Sequence, residues 1–204
     1  MKLGSIECPP IRNRLLRRSF FWRAGMLLLL VAFQALAPAD GRGQTPSATE
    51  DEVEAVYLYN FAKFIRWPQA AASQSISLCV LRDEPLASAL QRIVAGEVVD
   101  RRNLQAKSLS DISQGTDCNI LYLGRPEDLH VREDLAVLHH APVVTVSDDV
   151  DFLQQGGMIQ FAMIGGAVRF SVNLDAARRA GVTLSSQLLK VALTVKGSAP
   201  AGTP

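Results

Sequence analysis

The sequence has few of the residues from which metal and catalytic sites are usually built. It contains only three histidines and three cysteines among 204 residues. His130, His139 and His140 all fall on one predicted helix or at its end. Adjacent helical residues point about 100° apart, so this arrangement does not suit a metal ion. We therefore expect solvent-exposed histidines, no metal site and no bound cofactor.

Motifs of nucleotide-binding and hydrolytic enzymes are also missing. The pairs Gly156-Gly157 and Gly165-Gly166 belong to neither a Gly-x-Gly-x-x-Gly nor a Gly-Lys-Ser/Thr motif. We interpret both pairs as turns. Ser185-Ser186 is not part of a Gly-x-Ser-x-Gly motif, and no catalytic triad can be drawn. These absences favour a binding or regulatory module over an enzyme.

Neither sign of charge dominates the chain. It has 21 basic and 20 acidic side chains, and six of the basic ones but only one acidic one lie within residues 1–39. The remaining residues therefore hold 15 basic and 19 acidic side chains, a net charge of −4. A mildly acidic module lacks the basic surface that nucleic-acid binding requires. We expect no nucleic-acid partner.

No apolar run is long enough to span a bilayer as a helix, and the only candidate lies near the start. Residues 1–39 combine an arginine-rich segment, an apolar run of about 13 residues and small residues ending at Ala39, whereas a membrane span needs about 20 residues. This pattern predicts a signal peptide cleaved after Ala39 and a protein that works outside the cytoplasm; the alternative is an uncleaved anchor. Arg17-Arg18 is either a twin-arginine export motif or a chance pair.

Two cysteines remain beyond the predicted signal peptide, Cys79 and Cys118. Both occur at apolar, strand-like segments. In an oxidising compartment an even pair favours a disulfide, which would stabilise the fold by about 3–4 kcal/mol if the two strands lie close together. Two separate buried thiols are the alternative. A metal site is disfavoured because no histidine lies at ligand spacing to either cysteine.

The order of predicted elements indicates one α/β domain over residues 49–196, between a flexible lead-in (40–48) and a disordered tail (197–204). Thr49-Glu50-Asp51-Glu52 is typical of a capping box at the start of a helix that ends before Pro68. Predicted strands (75–81, 104–109, 119–123 and 142–147) alternate with predicted helices (85–95, 126–140 and 150–155). A hairpin (158–164 and 167–172) and two helices (174–180 and 184–195) follow. The pattern predicts a three-layer α/β sandwich with a mainly parallel sheet and an antiparallel hairpin at one edge.

An acidic cluster, Asp148, Asp149 and Asp151, directly follows a predicted strand. Ligands of open α/β sheets bind at the carboxyl ends of strands, so calcium or a cationic ligand is one interpretation. The spacing does not match a dedicated calcium loop. A helix N-cap, with negative charge beside the helix dipole, is the simpler interpretation.

Three stretches in this order carry a family resemblance. They are residues 55–68 (AVYLYNFAKFIRWP), residues 156–159 with 168–170 and 173–177, and residues 184–192 (LSSQLLKVA). Together they resemble the YfiR-like family of periplasmic proteins over about residues 50–195. Cys79 and Cys118 fall where that family has a structural disulfide. A second cysteine pair found in some members would match about residues 153–160, where this chain has none.

The resemblance implies a regulator. Similar proteins bind the periplasmic sensory domain of an inner-membrane diguanylate cyclase and repress it, which lowers cyclic-di-GMP signalling and biofilm formation. An outer-membrane lipoprotein as a further partner and a homodimer are also family expectations. A periplasmic small-molecule-binding sensor that reports to another membrane protein is the alternative function.

Four residues are predicted to bind the partner: Arg66, Trp67, Arg169 and Asn173. Arg66 and Trp67 lie at the exit of the first helix, where arginine and tryptophan are typical interface anchors; the alternative is that they are core residues of that helix. Arg169 and Asn173 have structural alternatives, an exposed strand position and a helix cap respectively.

Overall fold

The structure is a computed structural model, and it describes residues 48–68, 74–124, 130–139 and 141–197. The predicted signal peptide and most of the predicted lead-in and tail lie outside these described residues, and stay predictions.

Helices and strands alternate through most of the described chain, as the sequence predicts. In chain order they are α1 (Glu50–Phe64), β1 (Ile65–Arg66), β2 (Ser75–Leu81), α2 (Glu84–Val94), β3 (Val98–Val99), β4 (Arg102–Leu109), a 3₁₀ helix (Ile112–Asp117), β5 (Ile120–Leu123), α3 (Val131–Val137), β6 (Val144–Ser147), α4 (Phe152–Gln155), β7 (Ile159–Ile164), β8 (Ala167–Asn173), α5 (Leu174–Arg179), β9 (Thr183–Leu184), α6 (Ser186–Val191) and β10 (Val195–Lys196).

An eight-stranded sheet carries the fold, with the strand order β10-β8-β7-β6-β5-β2-β4-β3. Five neighbouring strands in the middle of this order run parallel to one another: β7, β6, β5, β2 and β4. Antiparallel pairs, β3 with β4 and β7 with β8, flank them. The predicted mixed α/β fold with a mainly parallel sheet is confirmed.

The first helix begins at the predicted capping box. The Thr49 hydroxyl accepts a hydrogen bond from the Glu52 backbone N–H at 3.3 Å, and the Glu52 carboxylate accepts one from the Thr49 N–H at 3.0 Å. Leu58, Phe61 and Ile65 lie at helical spacing on one stripe and are fully or almost fully buried. Burial of this stripe against the sheet stabilises α1, because helix propensity alone is weak over this length.

Each face of the sheet has its own apolar core, so the molecule has three layers. On one face, α1 and α2 cover a core in which the Phe61 ring lies 5.1 Å from that of Phe170 and 5.9 Å from that of Phe161. On the other face, the 3₁₀ helix, α3 and α4 cover a smaller core that includes Cys79 and Cys118. These two cysteines form a disulfide with a Cα–Cα distance of 6.0 Å, which confirms the predicted pairing.

The predicted helix over residues 184–195 is wrong at both ends. Thr183–Leu184 forms β9, which pairs antiparallel with β1, and only Ser186–Val191 is helical. Val195–Lys196 forms β10, which lies parallel to β8 and outside the β7–β8 hairpin. The helical periodicity is overridden because the two-residue segments on either side of Ser186–Val191 pair with strands from distant parts of the chain.

The predicted helix over 126–140 is helical at Val131–Val137, and residues 126–129 and 140 lie outside the described residues. Within the four described ranges, no helix has the length and apolar character needed to cross a membrane.

Candidate functional site

The topology places a cavity where the chain reverses its direction of progress across the sheet. From β2 the chain passes through α2 to β4 on one side, and from β5 it passes to β6 on the other. Open α/β sheets bind ligands at the carboxyl ends of the two strands at such a reversal. A cavity of about 430 Å³ lies there. It is lined by Glu50, Asp51, Glu54, Arg82, Asp83, Tyr122 and Asp148.

Carboxyl groups dominate the lining, and we call the seven lining residues the acidic cavity. Five of them are acidic, and they come from α1, from the segment after β2 and from the segment after β6. Arg82 is the single basic lining residue in the part of the chain that the structure describes, and its guanidinium forms an ion pair with Asp134 of α3. The described lining therefore has a surplus of negative charge.

Glu54 is the most deeply buried acid of the cavity, with 3% of its surface exposed. Burial and the neighbouring charge of Asp148 raise the Glu54 pKa to about 8, although a hydrogen bond with Tyr122 works in the opposite direction. Burial and the charge of Glu54 likewise raise the pKa of the Tyr122 hydroxyl. Among the described residues, no group donates a hydrogen bond to Glu54 Oε1.

The backbone between β2 and α2 is strained where it borders the cavity. Arg82 has a φ of 58°, in the left-handed region that side chains other than glycine rarely adopt. A hydrogen bond from its N–H to the Leu109 carbonyl, at 3.0 Å, holds this conformation. Gly124, after β5, approaches so closely that a Cβ there would lie 2.8 Å from the Leu81 carbonyl oxygen. The ends of β2 and β5 are thus held together beneath the cavity.

The three aspartates of the predicted acidic cluster have different roles. Asp148 lines the cavity, as the ligand-site interpretation expects. Asp149 and Asp151 belong to the loop before α4: Asp149 Oδ1 accepts a hydrogen bond from the Asp151 N–H at 2.9 Å. Asp151 occupies the N-cap position of α4, but its carboxylate accepts from the Gln154 side chain, at 3.2 Å, and not from the helix backbone.

The described ranges hold no group of three or more His, Cys, Asp and Glu side chains placed to hold a metal ion. His130 and His139 are exposed, as predicted, and His140 lies outside the described residues.

Two predicted partner-binding residues, Arg66 and Trp67, lie at the opposite end of α1 from the acidic cavity. The Arg66 side chain is 64% exposed and forms an ion pair of 3.0 Å with Asp100. Trp67 is half-buried, and its indole N–H donates to the Asn119 carbonyl at 3.1 Å. The Arg102 guanidinium lies 5.7 Å from the centre of the Trp67 ring, within reach of a cation–π contact.

The turn between β3 and β4 completes this surface. Both of its residues, Asp100 and Arg101, have left-handed backbones, with φ values of 50° and 66°. A two-residue hairpin turn of this type usually contains asparagine and glycine, so the turn is strained. We call Arg66, Trp67 and the segment Asp100–Arg102 the arginine corner.

Arg169 and Asn173 lie elsewhere, on β8. Arg169 is exposed and pairs with Ala162 of β7, as its structural alternative expects. Asn173 is 4% exposed, caps α5 by accepting from the Ala176 N–H at 3.2 Å, and donates to the Leu153 carbonyl at 3.3 Å. The helix-cap alternative is confirmed for Asn173, and a partner-binding role for either residue stays a prediction. Of the four predicted partner-binding residues, only Arg66 and Trp67 therefore lie in the arginine corner.

Sequence reasoning missed Glu54, the central residue of the acidic cavity. A signal was present, because residue 54 lies on the same helical stripe as Leu58, Phe61 and Ile65. An acid at a core position of an otherwise apolar stripe is unusual, and it points to a buried polar site.

Comparison with known proteins identifies relatives of this chain. A family model described as YfiR/HmsC-like matches residues 51–193. Among solved structures, a conserved domain protein from Vibrio cholerae O1 biovar El Tor strain N16961 is similar, with a TM-score of 0.52 and 10% sequence identity. The match covers 74% of this chain and 61% of the Vibrio chain, so this chain spans about three fifths of that protein. At this identity the likeness shows a shared fold alone.

Proposed function

Because this chain belongs to the YfiR/HmsC-like family, whose members are periplasmic regulators of diguanylate cyclases, we propose that it represses an inner-membrane diguanylate cyclase. It binds the periplasmic sensory domain of that enzyme and lowers cyclic-di-GMP signalling and biofilm formation. The family is regulatory and non-catalytic, and in keeping with this we propose that the chain is not an enzyme.

Repression through a periplasmic contact requires a preference between two states of the target. A bound protein shifts an equilibrium only as far as its affinities for the two conformations differ. The chain therefore binds the inactive conformation of the sensory domain more tightly than the active one. Relief of repression then needs only a competing partner, such as an outer-membrane lipoprotein.

The arginine corner is the surface that we propose for this contact, and its composition is the observation that carries the proposal. Arginine and tryptophan dominate binding energy at interfaces. Arg66 is exposed, while the hydrogen bond from Trp67 to Asn119 fixes the ring before binding. A side chain that is already ordered loses little conformational entropy on association.

Arg169 is a second contact candidate, because its side chain projects from the exposed side of β8. Val168 and Phe170, its neighbours along the strand, are buried on the α1 side. Alternation along a strand then places Arg169 on the other face of the sheet. Its contribution is measured separately from that of the arginine corner.

A pull-down with the periplasmic domains of the organism's membrane diguanylate cyclases tests the proposal. We expect the purified, oxidised protein to capture one of them at near-physiological salt. Arg66→Glu, which changes an exposed side chain, should weaken binding about tenfold or more, because it removes an anchor and reverses a charge. Trp67→Ala should act in the same direction. Arg169→Glu reports on the second candidate.

Arg132→Glu is the matched control, since it makes the same change at an exposed residue of α3, on the other face of the sheet. Binding that is weakened equally by Arg132→Glu and Arg66→Glu would reflect overall charge and would contradict the arginine corner. Failure to capture any of these domains by folded protein would contradict the repressor.

A further inference from the structure

The acidic cavity has a feature beyond its charge that points to a ligand. Glu54 is 97% buried, lines the cavity, and its Oε1 has no hydrogen-bond partner among the described residues. Buried carboxyl oxygens are nearly always hydrogen-bonded, because removal from water without a new partner is unfavourable. A donor that enters the cavity from outside would supply the missing hydrogen bond.

The chemistry of the lining selects the kind of donor. Five acidic residues surround the space, and Arg82, the one basic side chain of the lining among the described residues, is engaged with Asp134. A positively charged N–H donor would satisfy Glu54 and offset the surplus negative charge together. An anionic or neutral ligand would leave that surplus in place. The cavity therefore fits a cation.

The spacing of the acids argues against a single metal ion. Metal coordination needs several ligand atoms within about 2.5 Å of one point. The described residues contain no group of three or more acids, histidines or cysteines placed in this way. The acids come instead from three separate segments around about 430 Å³, a volume in the range of small-molecule sites. Several spaced positive charges match them better than one ion does.

We propose that the acidic cavity binds a small aliphatic polyamine. One ammonium group donates to Glu54 Oε1, and the others lie against Asp148, Asp83 and the acids at the start of α1. The site is independent of the proposed contact with a cyclase, since the arginine corner lies at the other end of α1. Failure of one proposal therefore leaves the other intact.

Binding of a polyamine at this site should be accompanied by release of a proton. Burial and neighbouring acids raise the Glu54 pKa to about 8, so Glu54 is mostly protonated at pH 7 in the unliganded protein. A bound ammonium favours the ionised form of a carboxyl group beside it. Polyamine binding at pH 7 should therefore release up to about one proton per site from Glu54.

Calorimetric titration with spermidine at pH 7 and about 150 mM salt tests the proposal, since this salt screens exposed charges. We expect saturable binding of one spermidine per chain, with proton release seen as a heat that depends on the buffer. Glu54→Gln, which keeps the shape of the side chain, should weaken binding at least tenfold and abolish the proton release. Asp148→Asn should also weaken binding, and it serves as the test if Glu54→Gln does not fold.

Glu133→Gln is the matched control, because it makes the same chemical change at a side chain that is 72% exposed on α3. It should leave the affinity unchanged. Equal affinity in wild type, Glu54→Gln and Asp148→Asn would show attraction to surface charge alone and overturn the proposal. It would also be overturned by an absence of spermidine binding, or by magnesium or calcium binding that depends on Glu54 as strongly as spermidine binding does.

Discussion

Glu54 is a buried acid whose titration links the fold to pH. Its pKa is about 8 in the folded protein against an ordinary value of 4.5. The groups around it are Glu50 and Asp51 on its own helix, Tyr122 on β5 and Asp148 after β6. Two residues of the segment after β2, Asp83 and Arg82, line the same cavity, and Arg82 forms an ion pair with Asp134.

We predict that Glu54 makes the protein less stable as pH rises from about 5 to about 8. In this window the folded state holds a proton on Glu54 that the unfolded state has already released, so the free energy of unfolding falls with rising pH. The stabilising contribution is complete below about pH 4.5 and is lost as pH passes 8. Its full size is on the order of 2–4 kcal/mol. Urea unfolding at several pH values measures it.

Glu54→Gln should flatten this part of the stability profile and raise stability at pH 8, because glutamine stays neutral at every pH. Asp117→Asn, a change at an exposed acid of the 3₁₀ helix, should leave the slope as in wild type. Equal slopes in wild type and Glu54→Gln between pH 5 and 8 would show that Glu54 does not titrate as described.

Individual site residues differ in how far a sequence can predict them. Arg66 and Trp67 follow a helix whose end is marked by Pro68, which predicts a position near the surface; Arg66 is exposed and Trp67 half-buried, and their binding role stays a prediction. The burial of Glu54 follows only from its position on the Leu58 stripe and from tertiary packing, which brings Tyr122 and Asp148 to it. Tyr122 lies 68 positions and Asp148 lies 94 positions after Glu54. At such separations neither residue leaves a local sequence signal at position 54.

At the scale of elements, the disulfide joins β2 to the segment just before β5, two neighbours in the centre of the sheet. We predict that reducing it lowers the free energy of unfolding by about 3–4 kcal/mol, because the unfolded chain regains the freedom of a loop of about 40 residues. The midpoint of thermal unfolding should fall by roughly 6–16 °C. Calorimetry of the same protein with and without reductant makes the measurement.

The double variant Cys79→Ala/Cys118→Ala is the control for this experiment. Its midpoint should be the same with and without reductant, because it has no disulfide to lose. A wild-type midpoint that does not respond to reductant, with free thiols confirmed by titration, would show that the cross-link adds no stability.

Elements with strong local signals were predicted well, and elements defined by distant pairing were not. Ser75–Leu81 is a strand of seven residues with six buried, and its bounds were predicted as they stand. The Gly165-Gly166 turn, with φ values of 59° and 76°, fixed the β7–β8 hairpin. β9 and β10 have two residues each and exist because β1 and β8 pair with them. A segment of two residues has no periodicity, so these strands could not be predicted from the sequence pattern.

At the scale of the whole molecule, α1 connects two separate surfaces. Its first turns contribute to the acidic cavity at the carboxyl ends of the strands, and the chain leaves its last turn at the arginine corner. The alternation of the central strands and helices could be predicted from the sequence. The cavity itself could not, because it depends on which strands become neighbours where the chain reverses direction.

Export of the chain is the last prediction, and it concerns residues outside the described part. We expect the protein in the periplasmic fraction to begin at residue 40 with Cys79 and Cys118 oxidised, because Ala39 ends a small-x-small site and disulfides form in that compartment. Intact mass with and without thiol labelling measures both properties.

The double variant Arg17→Lys/Arg18→Lys keeps the positive charge but removes the arginine pair. Loss of export in this variant would indicate the twin-arginine route, and normal export would make the pair a chance feature of a general secretory signal. Recovery of a membrane-bound protein that retains residues 1–39 would contradict cleavage and establish an anchor.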